Sequence, residues 1–260
     1  MTVDRITVGT KSVPYLRFGR GAKNFVILPG MSMFPVTQSP EGVAARFALF
    51  AEEYTVWLFD RAEPVTEGIR TEDMADETAA AMTALGIADA DMYAASQGGS
   101  VALVLAARYP RLVRKAVLAS TTAYCTPAAR ETFAHWSALA RAGDAVALNR
   151  DIFARVYSAA YREQFADAFR DSESLGTADD CLRYACLAEA YAPFDGRPLL
   201  AQLRCPVLAV NGGRDEVFRN ALLSPADLPA AEFYVYPNGA HAVYDEEADF
   251  VERIYAFLCR

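Results

Sequence analysis

A chain of 260 residues, 53% hydrophobic and 22% charged, can fill one large core, which excludes disorder as its general state. Its net charge of −8 disfavours nucleic acid and an anionic membrane as partners, since both need a basic face, and a small-molecule partner is expected. No apolar run approaches the ~18 residues of a membrane span.

Residues 1–7 carry no apolar core of a signal peptide. The cysteines (Cys125, Cys181, Cys186, Cys205, Cys259) are odd in number and lack C-x-x-C spacing, which suggests neither disulfides nor a zinc site. A reduced, cytoplasmic protein with buried thiols is expected, and a homodimer stays open.

Residues 6–8 and 13–18 are short, partly alternating strands around Gly9-Thr10-Lys11, predicting an antiparallel hairpin at a sheet edge. Residues 24–28 form a continuous apolar strand of the kind buried on both faces, ending in Pro29-Gly30-Met31-Ser32. A helix is predicted over 41–52, with Val43, Phe47 and Phe50 on one face. A strand over 54–59 follows and ends at Asp60-Arg61. Thr71 is a good N-cap, with Glu72 and Asp73 in the first turn of a helix that Gly86 closes.

Residues 92–95 read as a buried strand stopping at Ser96, and 98–108 as the helix after it. Val113 and residues 115–119 give the next strand. Strands alternating with helices at this spacing predict an α/β fold, a mostly parallel twisted sheet with helices on both faces. From 121 to 204 there is no strand-like run. Aromatics recur at every fourth position there (Phe153, Tyr157, Tyr161, Phe165, Phe169), roughly one helical face drifting ~40° per step. The stripe is expected to pack onto the rest of the protein, or in part to roof a pocket.

Alternation resumes with a strand over 206–210, ending in Asn211-Gly212-Gly213-Arg214-Asp215. Another spans 231–236 and leads into Pro237-Asn238-Gly239-Ala240-His241. The last helix carries Phe250, Val251, Ile254, Tyr255 and Leu258 on one face.

Ala94 and Gly98 stand two places before and after Ser96, as a sharp strand-to-helix turn requires. Such a turn lifts the serine hydroxyl above the strand ends and sets helix-start N–H groups around it. Ala94-Ala95-Ser96-Gln97-Gly98 resembles the G-x-S-x-G nucleophile elbow of α/β-hydrolases, with Ala in place of the first Gly. The resemblance covers essentially the whole chain. It implies an α/β-hydrolase fold with its core over 1–120 and 205–260. A helical cap over 121–204 would be inserted after the sixth strand.

A serine hydroxyl needs a base, and the base needs a carboxylate to hold its ring. His135, in Phe133-Ala134-His135-Trp136, is expected to have a surface or packing role. His241 lies just past the last strand, where the family's base sits, and the order Ser…Asp…His is the one this fold uses. Gly212-Gly213-Arg214-Asp215 resembles the G-x-x-D that carries the acid, with Glu216 as competitor. Asp245, Glu246 and Glu247 read as an acidic helix start favoured by the macrodipole. Asp60 is expected to fix loop structure. No carboxylate follows the sixth strand, at Ser120-Thr121-Thr122.

The oxyanion donors implied are the backbone N–H groups of Gln97 and Met31. Many relatives carry His-Gly in the loop after the third strand, where this chain has Pro29-Gly30. Gly30, Ser32, Met33 and Phe34 are then expected to border the substrate. The resemblance implies a serine hydrolase needing no metal or cofactor, which cleaves a small uncharged carboxylic ester through an acyl-enzyme on Ser96. Other readings stay open: an aminopeptidase anchoring a free amine on Glu189 or Asp195, a cofactor-free C–C lyase, and a ligand-sensing module.

Overall fold

The computed structural model describes residues 2–260, the side chain of Asn220 apart. The strands are β1 (Asp4–Val8), β2 (Lys11–Phe18), β3 (Lys23–Leu28), β4 (Tyr54–Phe59), β5 (Ala90–Ala95), β6 (Val113–Ala119), β7 (Val207–Gly212) and β8 (Glu232–Tyr236). They form one sheet in the order β1-β2-β4-β3-β5-β6-β7-β8. The expected hairpin is its edge: β1 pairs antiparallel with β2, and β2 antiparallel with β4. Every other pairing is parallel.

Between β3 and β4 lies α1 (Pro40–Arg46); α2 (Thr71–Ala84) and α3 (Gln97–Arg108) flank β5 in sequence. Six helices stand between β6 and β7: α4 (Pro127–Arg141), α5 (Ala145–Val156), α6 (Ala159–Gln164), α7 (Ala166–Ser172), α8 (Ala178–Tyr191) and α9 (Arg197–Leu200). After β8 come the single turn α10 (Val243–Glu246) and α11 (Phe250–Leu258). Among the described residues, no helix is long and apolar enough to cross a membrane.

The sheet divides the core because strand side chains alternate between faces. Along β5, Met92 and Ala94 join the cluster built with α2, α3 and the inserted helices, among them Met74, Leu105, Phe133 and Tyr184. Tyr93 and Ala95 join the opposite cluster with Phe47, Phe50, Phe250 and Ile254. Every residue of β5 and β7 is buried, which accounts for their unbroken apolar runs.

Local readings shift in several places. The helix predicted over 41–52 stops at Arg46 and gives way to a tight turn over Ala48–Phe50. That turn lets Phe50 stack on Phe25, with ring centroids 4.0 Å apart, so tertiary packing overrides the helical pattern. Thr71 is not the N-cap. Arg70 takes that place, and its N–H donates to the Asp73 carboxylate at 2.9 Å. Thr71 is buried instead, donating to the carbonyl of Ala190.

The aromatic stripe does not lie along one helix. It is broken over α5, α6 and α7, and the folded-back chain stacks Phe153 on Phe169 (4.0 Å) and Tyr157 on Tyr161 (4.7 Å). Nor are all the thiols buried, since Cys259 is exposed.

Candidate active site

The sharp turn after β5 is present. Ser96 has φ 51° and ψ −123°, a backbone region that only firm surroundings hold. Its N–H donates to Ala119 at 2.8 Å, and its carbonyl accepts from the Thr121 hydroxyl at 3.1 Å. Gly98 makes the turn sterically feasible. A Cβ there would sit 2.3 Å from the carbonyl oxygen of Leu28 and 2.5 Å from that of Pro29.

Three residues far apart in sequence meet here. His241 Nε2 lies 3.0 Å from Ser96 Oγ, and His241 Nδ1 lies 2.6 Å from Asp215 Oδ2. The other oxygen, Asp215 Oδ1, accepts the N–H groups of Val217 and Phe218, both at 2.8 Å. A carboxylate held on both oxygens fixes the imidazole, so Nδ1 carries the proton and Nε2 is left to accept from the serine. Glu216, the competing acid, is exposed.

The acid and base loops are also joined through the backbone. Arg214 N–H donates to Gly239 at 2.9 Å, and Gly213 N–H to Tyr236 at 2.8 Å. Phe218 meets the His241 ring edge-on at 5.2 Å. Ser96, Asp215 and His241 are all buried.

A cavity of about 480 Å³ opens on Ser96 and His241. Gly30, Met31, Ser32 and Met33 line it, but Phe34 does not. The Ser32 hydroxyl donates to the Phe34 carbonyl at 2.5 Å, turning the loop so that the Phe34 ring packs on the core. Gly30 comes closest to the serine: a Cβ there would stand 3.2 Å from Ser96 Cβ. Neither the Met31 nor the Gln97 N–H donates to another described residue. Gln97 opens α3, where a helix has no preceding carbonyl to offer.

Two arginines, Arg61 buried and Arg183 half-buried, brace this loop, and sequence reasoning missed both. Arg61 donates to the Pro29 carbonyl at 3.0 Å and to Gln97 Oε1 at 3.4 Å. Burial pulls Arg61 down to about 10, with the charge of Asp60 opposing, so it stays cationic at neutral pH. Arg183 of α8 donates to the Ser32 carbonyl at 2.9 Å, and burial lowers it too. Gln97 Nε2 donates to Leu187 of α8 at 2.7 Å, tying the helix after Ser96 to the inserted helices. As expected, Asp60 fixes loop structure, accepting the N–H groups of Val36 and Thr37 at 3.2 and 2.7 Å.

Other candidates separate cleanly. His135 is exposed on α4, away from the cavity. Glu189 is held by Arg141 and Ser137, and Asp195 by Arg197; neither lines the cavity. Asp245 lies in the first turn of α10, not of the last helix as expected, and it also lines the cavity with Arg46 and Tyr157. Its place four residues after His241 was the one available signal.

A family model of the alpha/beta hydrolase fold matches residues 26–248. The serine hydrolase BPHL of Mus musculus is 24% identical over 270 residues, spanning 98% of this chain and 85% of its own length. The enol-lactonase of Burkholderia xenovorans LB400 superposes with a TM-score of 0.85 at 22% identity, covering 99% of this chain and 100% of its own. MGS-M2, an alpha/beta hydrolase from a Medee basin deep-sea metagenome library, gives 0.88 at 21% identity, covering 99% and 98%. With the family match running over most of its length, the chain belongs to the α/β-hydrolase superfamily of serine hydrolases.

Proposed function

We propose that the protein is a serine hydrolase of small, uncharged carboxylic esters, open-chain or cyclic, working through an acyl-enzyme on Ser96. One observation carries this reading: the continuous hydrogen-bond chain Asp215–His241–Ser96, ending in an accessible cavity. Ser96 Oγ attacks the ester carbonyl while His241 Nε2 takes its proton, and Asp215 stabilises the imidazolium. The Met31 and Gln97 N–H groups stabilise the oxyanion, a contribution that is often the largest in acyl transfer. His241 then passes its proton to the leaving alkoxide. Water, deprotonated by His241, attacks the acyl-enzyme and frees the acid.

The apolar residues around Ser96, among them Met33, Phe133, Trp136 and Ile152, suit an uncharged substrate. The enol-lactonase of similar fold supports including cyclic esters. We take residues 121–204 as the cap over this cavity. Glu189 and Asp195 are both committed to arginines, which argues against an amine-anchoring aminopeptidase.

A fluorophosphonate probe is the test. Wild type should label rapidly and Ser96→Ala not at all, and turnover of a chromogenic ester should fall by at least ~10³-fold in His241→Ala. An inert wild type would overturn the reading in favour of a binder or a lyase.

A further inference from the structure

One wall of the cavity is unlike the rest. Around Ser96 the lining is largely apolar, but where α1 meets α10 it gathers Tyr93, Arg46, Asp245 and Tyr157. An ordinary apolar ester has no use for these groups.

Tyr93 is the informative member. It sits on β5, three residues before Ser96, and is 5% exposed. Strand rise puts the two Cα atoms about 10 Å apart. The Tyr93 hydroxyl has no hydrogen-bond partner among the described residues, and its side chain lines the cavity. The hydroxyl opens onto the cavity, so its partner there comes from solvent or from a ligand.

Asp245 lies at the same end. Its Oδ2 accepts from the Tyr157 hydroxyl at 3.2 Å, while Oδ1 has no partner among the described residues. Arg46 is anchored by one nitrogen on the Tyr244 carbonyl. The three groups sense one another. Burial pushes the Tyr93 phenol well above its ordinary value, the Asp245 charge adds to this, and Arg46 opposes it. Asp245 and Arg46 are exposed at the mouth of the cavity; the protein around Asp245 still raises its carboxyl, with Arg46 pulling it back down.

We propose that Tyr93, Asp245 and Arg46 form a polar subsite that binds an uncharged hydrogen-bonding group, a hydroxyl or carboxamide, at the far end of the substrate from the ester. Charge balance selects this class. A cationic group would gain Asp245 but face Arg46, and an anionic group the reverse. A neutral group that both donates and accepts satisfies Tyr93, Asp245 and Arg46 together. The subsite rests on the ester-hydrolase reading only for what reacts at Ser96.

Binding to Ser96→Ala tests the subsite without requiring turnover. The ligands are ethyl hexanoates ending in methyl, hydroxymethyl, carboxamide, ammonium or carboxylate, with the mirror series of hexyl acetates carrying the group on the alcohol side. In one of the two series, the hydroxyl and carboxamide ligands should bind about tenfold or more tighter than the methyl ligand by calorimetry. Asp245→Ala and Tyr93→Phe should each bring that ratio toward one. The proposal is overturned if methyl binds as tightly in both series, if a charged terminus binds tightest, or if the ratio survives both substitutions. An inert Ser96 in the probe experiment would leave these binding ratios untouched, so the two readings fail separately.

Discussion

The Ser120 hydroxyl donates a 2.6 Å hydrogen bond to the backbone carbonyl of His241, joining the end of β6 to the loop that carries the base. Ser120 is fully buried, and its φ of 46° aims the side chain across the sheet top. The absence of a carboxylate after the sixth strand thus has a counterpart. That strand end holds His241 through its main chain, while the loop after β7 supplies Asp215.

Ser120→Ala should therefore cost turnover more than binding. Losing one buried hydrogen bond is worth ~1 kcal/mol, and a shifted imidazole acts on the proton transfer itself. We expect kcat to fall about tenfold with KM little changed. Steady-state kinetics on a chromogenic ester measures this, and an unchanged kcat would remove the anchoring role.

Gly30→Ala tests how tightly the loop after β3 must approach the nucleophile. The added methyl meets Ser96 Cβ at 3.2 Å and Oγ at 3.9 Å, and the bracing Arg61 and Arg183 give the loop little freedom to retreat. Fluorophosphonate labelling should slow about 10²-fold while the melting temperature holds, a loss typical of an ångström-scale misplacement. Gly98→Ala differs. There the methyl collides with two backbone carbonyls that cannot move aside, so loss of the folded state is expected instead.

Asp91 predicts a pH dependence of stability. Burial lifts its carboxyl above the ordinary range, with hydrogen bonds from Tyr54 and Arg114 pulling the other way. The native state thus keeps this proton to a higher pH than the unfolded chain, whose Asp titrates at about 4. Stability from this group is present below that value and is lost as pH rises through the native one. Asp91→Asn should gain on wild type across that window and hold a constant difference above it. Thermal melts from acid to neutral pH read this directly; a difference that shrinks as pH rises contradicts it.

The strand ends were legible in the sequence because they are local. A buried strand stops where small residues and glycines begin, as at Ser96 and at Gly212, and each places one side chain above the sheet. What spacing alone left undecided was Asp215 against Glu216, adjacent residues in the same loop. Two N–H groups, from Val217 and Phe218, make that choice in the folded chain. Arg183 was out of reach because it braces Ser32 across 151 positions, a contact no local pattern encodes. Asp245 was read only in part, for the opposite reason: a local explanation, favourable charge at a helix start, holds for α10 and hid its place in the cavity. Phe34 failed because the Ser32 hydroxyl turns the loop away from the substrate space.

The bonds from Gln97 to Leu187 and from Arg183 to Ser32 constrain how a molecule gets in. A hinged roof swinging on α8 would drag the oxyanion loop and the nucleophile's neighbour with it, disarming the enzyme at every opening. The stretch from α5 to α7 is tied at Asp151, which accepts from Trp136 of α4, and at Val156, Tyr157 and Ser158, which bond to the loop after His241. The inserted helices are thus fastened beside Ser96 on one side and beside His241 on the other, so a swing of either half would disturb the Ser96–His241 contact.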